Sequence, residues 1–201
     1  MTTTRNTHSG ATWRTIDIVV AAVVAVAFGV VFVAWNALWT ASTPLFVALP
    51  PAQALLYGVW LLPGVLVGLI VRRPGAALFG GIVSASVSAL IGSQWGLDTL
   101  FSGAIQGGGA ELAFAIGLYR TWNLPLAMLA GALSGVGAAI HDLFIVAYYP
   151  ETGPDFWAVF AAATVVSGIV IGGIGAWLLL RALVASGVLA DFAAGREQRE
   201  V

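Results

Sequence analysis

Residues 16–39 read IDIVVAAVVAVAFGVVFVAWNALW, an apolar run of 24 residues. At 1.5 Å rise per residue, about 20 residues span the ~30 Å hydrocarbon core of a bilayer. The run exceeds the ~7–15 apolar residues of a signal-peptide core. It therefore reads as a membrane helix. The rest of the chain agrees: of 201 residues, 60% are hydrophobic and 8% charged. Soluble domains carry about 25% charged residues, so that class is excluded. The net charge of −1 offers no basic patch for nucleic acid. Cysteine is absent, which excludes disulfides and thiolate metal sites.

Working outward, apolar segments cover 16–39, 52–71, 76–91, 100–118, 124–148 and 157–184. Backbone polar groups in lipid must be bonded internally, and no period-two alternation suggests a barrel. The expectation is an all-α integral membrane protein, a six-transmembrane-helix bundle over 13–190. Residues 1–12 are expected to be a disordered cytoplasmic N-terminus and 191–201 a cytoplasmic tail. Pro44, Pro50 and Pro51, then Arg72–Gly75, Gly92–Asp98, Arg120–Asn123 and Pro150–Asp155 mark the loops. Pro63 falls inside the second span, where a kink is expected. All eight cationic side chains are arginine: Arg5, Arg14, Arg72, Arg73, Arg120, Arg181, Arg196 and Arg199. With six spans, every one falls on the side of the termini, which places both termini in the cytoplasm. The expected location is the cytoplasmic (inner) cell membrane, multi-pass. Trp13, Trp39, Trp95, Trp122 and Trp157 fall near span ends, as an interfacial belt would.

Function should lie where ionisable groups enter the apolar segments, because each costs at least ~2.5 kcal/mol there. GAAIHDLFIVAYY (137–149) carries His141 and Asp142 side by side, and QGGGAE (106–111) carries Gln106 and Glu111. Glu111 and Gln106 read as a carboxylate–amide pair for a polar ligand; the alternative is a carboxylate satisfied between helices. Asp142 shares a small-residue stripe with Ser134 and Ala138. It either meets ligand or is hydrogen-bonded inside the bundle. His141 points ~100° away from Asp142 and reads as a ligand contact or a bonded core residue. Adjacent helix positions make a poor metal site, so no metal is expected. Trp35, Trp39, Asn36, Tyr57, Trp60, Gln94 and Trp95 form an aromatic and amide set. Tyr57 and Trp60, one helical step apart inside a span, are the best candidates for stacking on a flat ligand. Ala21, Ala25 and Gly29 form a small-residue stripe on the first helix, which allows close approach of a partner or of this bundle. Gly168 and Gly172 carry the same ambiguity. No nucleophile–base arrangement or phosphate loop is present, so neither catalysis nor ATP hydrolysis is expected of this chain, and no cofactor.

Several stretches together carry a family resemblance: Tyr57-Gly58-Val59-Trp60, Arg73-Pro74-Gly75-Ala76-Ala77-Leu78, Gln106-Gly107-Gly108-Gly109-Ala110-Glu111, Leu124-Pro125-Leu126-Ala127-Met128-Leu129-Ala130-Gly131 and Asp142-Leu143-Phe144. Over roughly 13–190 the chain resembles substrate-binding (S) components of energy-coupling-factor (ECF) vitamin transporters, of the YkoE type. The resemblance implies a bundle that binds thiamine or its precursor hydroxymethylpyrimidine. It also implies assembly with a transmembrane coupling subunit and two ATPase subunits. In that class the small residues of the first helix, here Ala21, Ala25 and Gly29, dock the coupling subunit. An aminopyrimidine offers a ring nitrogen beside an exocyclic amine, and a carboxyl group or amide can pair with both. Glu111 and Gln106 would supply this, with Asp142 or Asn36 at a hydroxyl and Tyr57 or Trp60 on the ring. The competing class is a proton- or ion-coupled secondary transporter in which Glu111, His141 and Asp142 form a relay. A third is an assembly subunit whose polar groups only join helices.

Overall fold

The computed structural model describes residues 12–190, 192, 194 and 195, and every regular element among them is helical. The expectations for residues 1–11, including Arg5, and for most of the C-terminal tail, including Arg196 and Arg199, lie outside the described residues. Helix α1 is Thr15–Ser42. Two 3₁₀ turns, Thr43–Phe46 and Pro50–Leu56, lead into α2, Gly58–Val71. Then follow α3, Ala76–Ile91, and α4, Asp98–Ile116. Helix α5, Leu124–Ile140, continues through a π turn at His141–Ile145. Helix α6, Pro154–Ser167, continues through a π-helical stretch, Gly168–Gly175, into α7, Ala176–Ala185.

Local chemistry sets these ends. Asp17 accepts from the Arg14 backbone N–H at 3.0 Å and from its guanidinium at 2.7 Å, which closes the first turn of α1. Asn123 caps α5 by accepting from Leu126 N–H at 3.0 Å, with Pro125 in the first turn, where a missing N–H costs nothing. Arg72, at φ 56, and Gly75, at φ 85, take left-handed conformations in the α2–α3 turn.

Four helical runs are long and apolar enough to cross a membrane: Thr15–Phe46, Pro50–Val71, Leu124–Ile145 and Pro154–Ala185. Ala76–Ile91 is apolar but shorter. Asp98–Ile116, diluted by Asp98, Gln106 and Glu111, is not among them. Helix α2 is the axis of the bundle. From Pro63 to Val71 every residue is buried, as an all-round apolar helix demands. Val65, Leu66, Leu69 and Ile70 pack with Phe114 of α4 and Leu180 of α7 in the main core. A smaller cluster gathers Tyr57, Leu61, Leu143 and Phe160 at the end of the bundle remote from the termini. Ser167 pins that end: it accepts from Gly58 N–H at 2.8 Å and donates to Leu55 O at 2.6 Å.

Small residues let backbones touch. A Cβ on Gly103 of α4 would fall 2.7 Å from the Gly81 carbonyl oxygen of α3, so glycine is required at that crossing. Gly131 of α5 meets the π-helical stretch in the same way, 2.7 Å from Gly173 N. Gly168 and Gly172 therefore serve packing inside the bundle.

The stripe on α1 is corrected by the structure. Ala21 and Ala25 are buried, and a Cβ on Gly29 would strike Val87 and the Ser84 carbonyl of α3. Gly29 meets α3 and all three residues are buried within the bundle, so Ala21, Ala25 and Gly29 present no open docking face here. The outward ridge of α1 is instead Val19, Val23, Val26 and Val30, each exposed, as a lipid-facing surface would be.

Candidate functional site

At the end opposite the termini, the helices part around a cavity with about 550 Å³ of space including its mouth. The last turns of α1 give Phe32 and Asn36, the start of α2 gives Tyr57 and Trp60, and α3 gives Ala85 and Ser88. From α4 come Asp98, Thr99, Ser102 and Gln106, and from the π turn after α5 comes Asp142. Trp95 and Tyr148 stand at its edge.

The polar groups form two chains. In the first, the Tyr57 hydroxyl donates to Asp142 Oδ2 in a short hydrogen bond. Asp142 Oδ1 lies 2.8 Å from His141 Nδ1, and His141 Nε2 lies 3.2 Å from Asp98 Oδ1. Tyr148 donates to Asp98 Oδ2 at 2.5 Å. In the second, Trp60 Nε1 donates to Asn36 Oδ1 at 3.0 Å and Asn36 Nδ2 to Ser88 Oγ at 3.3 Å. The Gln106 side-chain amide donates to Ser102 Oγ at 2.6 Å, and the Gln106 backbone carbonyl accepts from the Ser134 hydroxyl at 2.8 Å. Among the described residues, Asp98 and Asp142 are the acidic side chains in the cavity wall, and His141 stands behind them, 1% exposed.

Aromatic rings brace one side. Trp60 meets Tyr57 at 5.3 Å and Trp95 at 5.5 Å between centroids, both near perpendicular. Trp39 packs behind, 5.3 Å from both Tyr57 and Trp60. Edge-to-face packing fixes these rings, so the wall is preformed. Trp95 therefore lines this wall and Trp39 braces it from behind, rather than forming only an interfacial belt. Trp35 does not join it: its indole N–H donates to Leu56 O at 3.1 Å and anchors the 3₁₀ turn.

Glu111 is the main correction. It stands thirteen residues, about 20 Å, along α4 from Asp98, at the end of the bundle near the termini. Its Oε1 accepts from Gly75 N–H at 2.6 Å and its Oε2 from Ala77 N–H at 2.9 Å, with Leu78 N–H at 3.4 Å. It thereby fills the unbonded N–H groups at the start of α3, where the helix dipole favours an anion. Tyr119 donates to Oε1 at 2.7 Å. Burial, then this bond to Glu111, push the Tyr119 hydroxyl up to about 12, so it remains a donor. Gln106 and Glu111 thus form no pair, and Glu111 cannot belong to a relay with His141 and Asp142. Of the expected ligand residues, Asn36, Tyr57, Trp60, Gln106 and Asp142 converge on one cavity. His141 stands one shell behind.

Asp98 and Tyr148 were not singled out as site residues. The sequence pattern puts Asp98 at the end of a loop, yet Asp98, Ser102 and Gln106 recur at four-residue spacing on one face of α4. That polar stripe was the available signal.

A family model described as ABC-type cobalt transport system, permease component, matches residues 16–137. YkoE of Bacillus subtilis (strain 168), a candidate HMP/thiamine permease protein, is 31% identical over 188 residues, 94% of this chain and 93% of that one. A crystal structure of an S component of an ECF transporter superposes with a TM-score of 0.88 at 30% identity, covering 94% of each chain. The chain belongs to the S components of ECF transporters, of the YkoE type. With four helices able to cross a membrane, this S component is a multi-pass membrane protein and a transport subunit.

Proposed function

We propose that this S component binds thiamine or its pyrimidine precursor hydroxymethylpyrimidine for an ATP-driven ECF importer of the cytoplasmic membrane. The helices would cross six times, with both termini on the cytoplasmic side, as the arginine distribution favours. The name of the B. subtilis relative supports the ligand class. ATP hydrolysis would fall to two partner ATPases, and a transmembrane coupling subunit would join them to this chain.

One observation carries the reading: a buried carboxylate, Asp142, opens into a cavity walled by Tyr57, Trp60 and Trp95. A carboxylate accepts from an exocyclic amine in a charge-assisted hydrogen bond, and the rings supply flat apolar faces for a heteroaromatic ligand. The Gln106 amide and the Thr99 hydroxyl add groups for the ligand's hydroxyl or ring nitrogens. Against the relay of a proton-coupled carrier stands the position of Glu111, engaged in the α3 cap.

Mass spectrometry of small molecules released from the detergent-purified protein should find thiamine or the pyrimidine alcohol. Titration of stripped protein should give saturable binding with one site per chain. Release of neither compound, together with no heat or fluorescence change on adding either, refutes the ligand assignment. Uptake abolished by an uncoupler but indifferent to loss of the ATPases would favour the coupled carrier.

A further inference from the structure

We propose that His141 is a positioning residue that sets the charge of this cavity and thereby ties its affinity for a cationic ligand to pH. The inference rests on the ligand site described under Proposed function. His141 presents Nδ1 to Asp142 at 2.8 Å and Nε2 to Asp98 at 3.2 Å. Both facing atoms are carboxylate oxygens, which accept. A neutral imidazole has one donor and one acceptor, so it leaves one of these contacts as acceptor against acceptor. The imidazolium donates to both.

With an imidazolium, Asp98, His141 and Asp142 carry one net negative charge; with a neutral ring, they carry two. The other titratable groups at this cluster are tyrosines. Tyr57 from the start of α2 donates to Asp142, Tyr148 from the segment after the π turn donates to Asp98, and Tyr149 lies near Asp142. Burial first, then the Asp142 charge, push the Tyr149 hydroxyl up to about 12. The wall residues from α1 and α3 are neutral. Histidine is therefore the group in this cluster suited to change charge near neutral pH.

His141 does not line the cavity. It acts through the two carboxylates that do. A cation entering beside Asp142 is repelled by the imidazolium and attracted more strongly once the ring is neutral. By reciprocity, cation binding must then expel a proton from His141. Thiamine is a suitable probe because its thiazolium charge is permanent.

The test is calorimetric titration of the purified protein with thiamine. At a separation of about 7 Å and an effective dielectric near 20, loss of the imidazolium charge should tighten binding about 50-fold between roughly pH 6 and pH 9. At one intermediate pH, buffers of different ionisation enthalpy should report net proton release on binding. His141→Gln keeps an amide donor but no titration, so it should bind thiamine with a pH-independent Kd. An affinity in the native protein that is flat with pH, or weakens as pH rises, overturns the inference. So does a His141→Gln variant that keeps the slope. Should that variant fail to fold, the buffer comparison on the native protein decides: no proton release overturns the proposal. Thiamine binding without a pH slope defeats this inference alone, whereas no thiamine binding at any pH defeats the ligand reading and the inference with it.

Discussion

Replacing Asp142 with asparagine is expected to weaken thiamine binding about 100-fold, equivalent to about 2.7 kcal/mol. Three features argue for an effect of this size. Asp142 is 3% exposed, so its charge is little screened by water. Its hydrogen bonds to a ligand amine would be charge-assisted, and such bonds contribute about 1.5–3 kcal/mol each. An asparagine would also direct an amide N–H₂ toward either the Tyr57 hydroxyl or His141, disturbing bonds that now hold the group in place. The measurement is thiamine titration of variant protein that elutes as a single species in detergent. A Kd within threefold of the native value would remove Asp142 from the ligand site.

The second large effect belongs to Glu111, and it should appear in stability rather than in binding. Glu111→Ala removes the acceptor for the N–H groups of Gly75 and Ala77 and for the Tyr119 hydroxyl. Loss of a helix cap costs about 0.5–2 kcal/mol, and loss of an anion from a helix N-terminus costs about 0.3–1 kcal/mol. The side chain is half-buried, so water replaces part of the loss. The sum is about 2 kcal/mol, a fall of about 4–8 °C in the melting temperature for a chain of this size. Glu111→Gln should lie between, because its single carbonyl oxygen keeps part of the cap. Thiamine affinity of the folded fraction should stay within threefold of native. A tenfold loss of affinity with an unchanged melting temperature would restore Glu111 to the ligand site.

These two acids also mark how much of the molecule is legible in the sequence. Hydrophobic run length yields the helices to within a few residues, because lipid and helix geometry leave little else for such runs to do. Helix α3 occupies 76–91, as the apolar run does. Asp142 and Gln106 were recognisable because a polar group in an apolar run needs a reason. The same logic misassigned Glu111. From sequence, a carboxylate that caps a neighbouring helix and one that meets a ligand have the same signature. The difference lies in the Arg72–Gly75 turn, which bends back over α4 in space and leaves no periodic trace.

His141 shows a related limit. An ideal helix separates neighbouring side chains by ~100°, yet His141 and Asp142 bond to each other within the wider π turn at His141–Ile145. Nothing in the composition of HDLFI announces that turn. The stripe Ala21, Ala25 and Gly29 signalled a close helix contact correctly, but not which helix. Only the packed structure supplies α3 as the neighbour of Gly29.

The central claim is that the cavity bearing Asp142, and not the end of the bundle bearing Glu111, holds the ligand. The chain has no cysteine, so a single introduced thiol reports without background. Ser102→Cys places it in the cavity wall, and Leu118→Cys places it on the exposed turn beside Tyr119. Each variant is first shown to bind thiamine, then treated with a water-soluble thiol reagent. With thiamine at ten times its Kd, modification at position 102 should slow on the order of tenfold, and modification at position 118 should not change. Full reactivity at position 102 with thiamine bound, or protection at position 118 instead, would contradict the account.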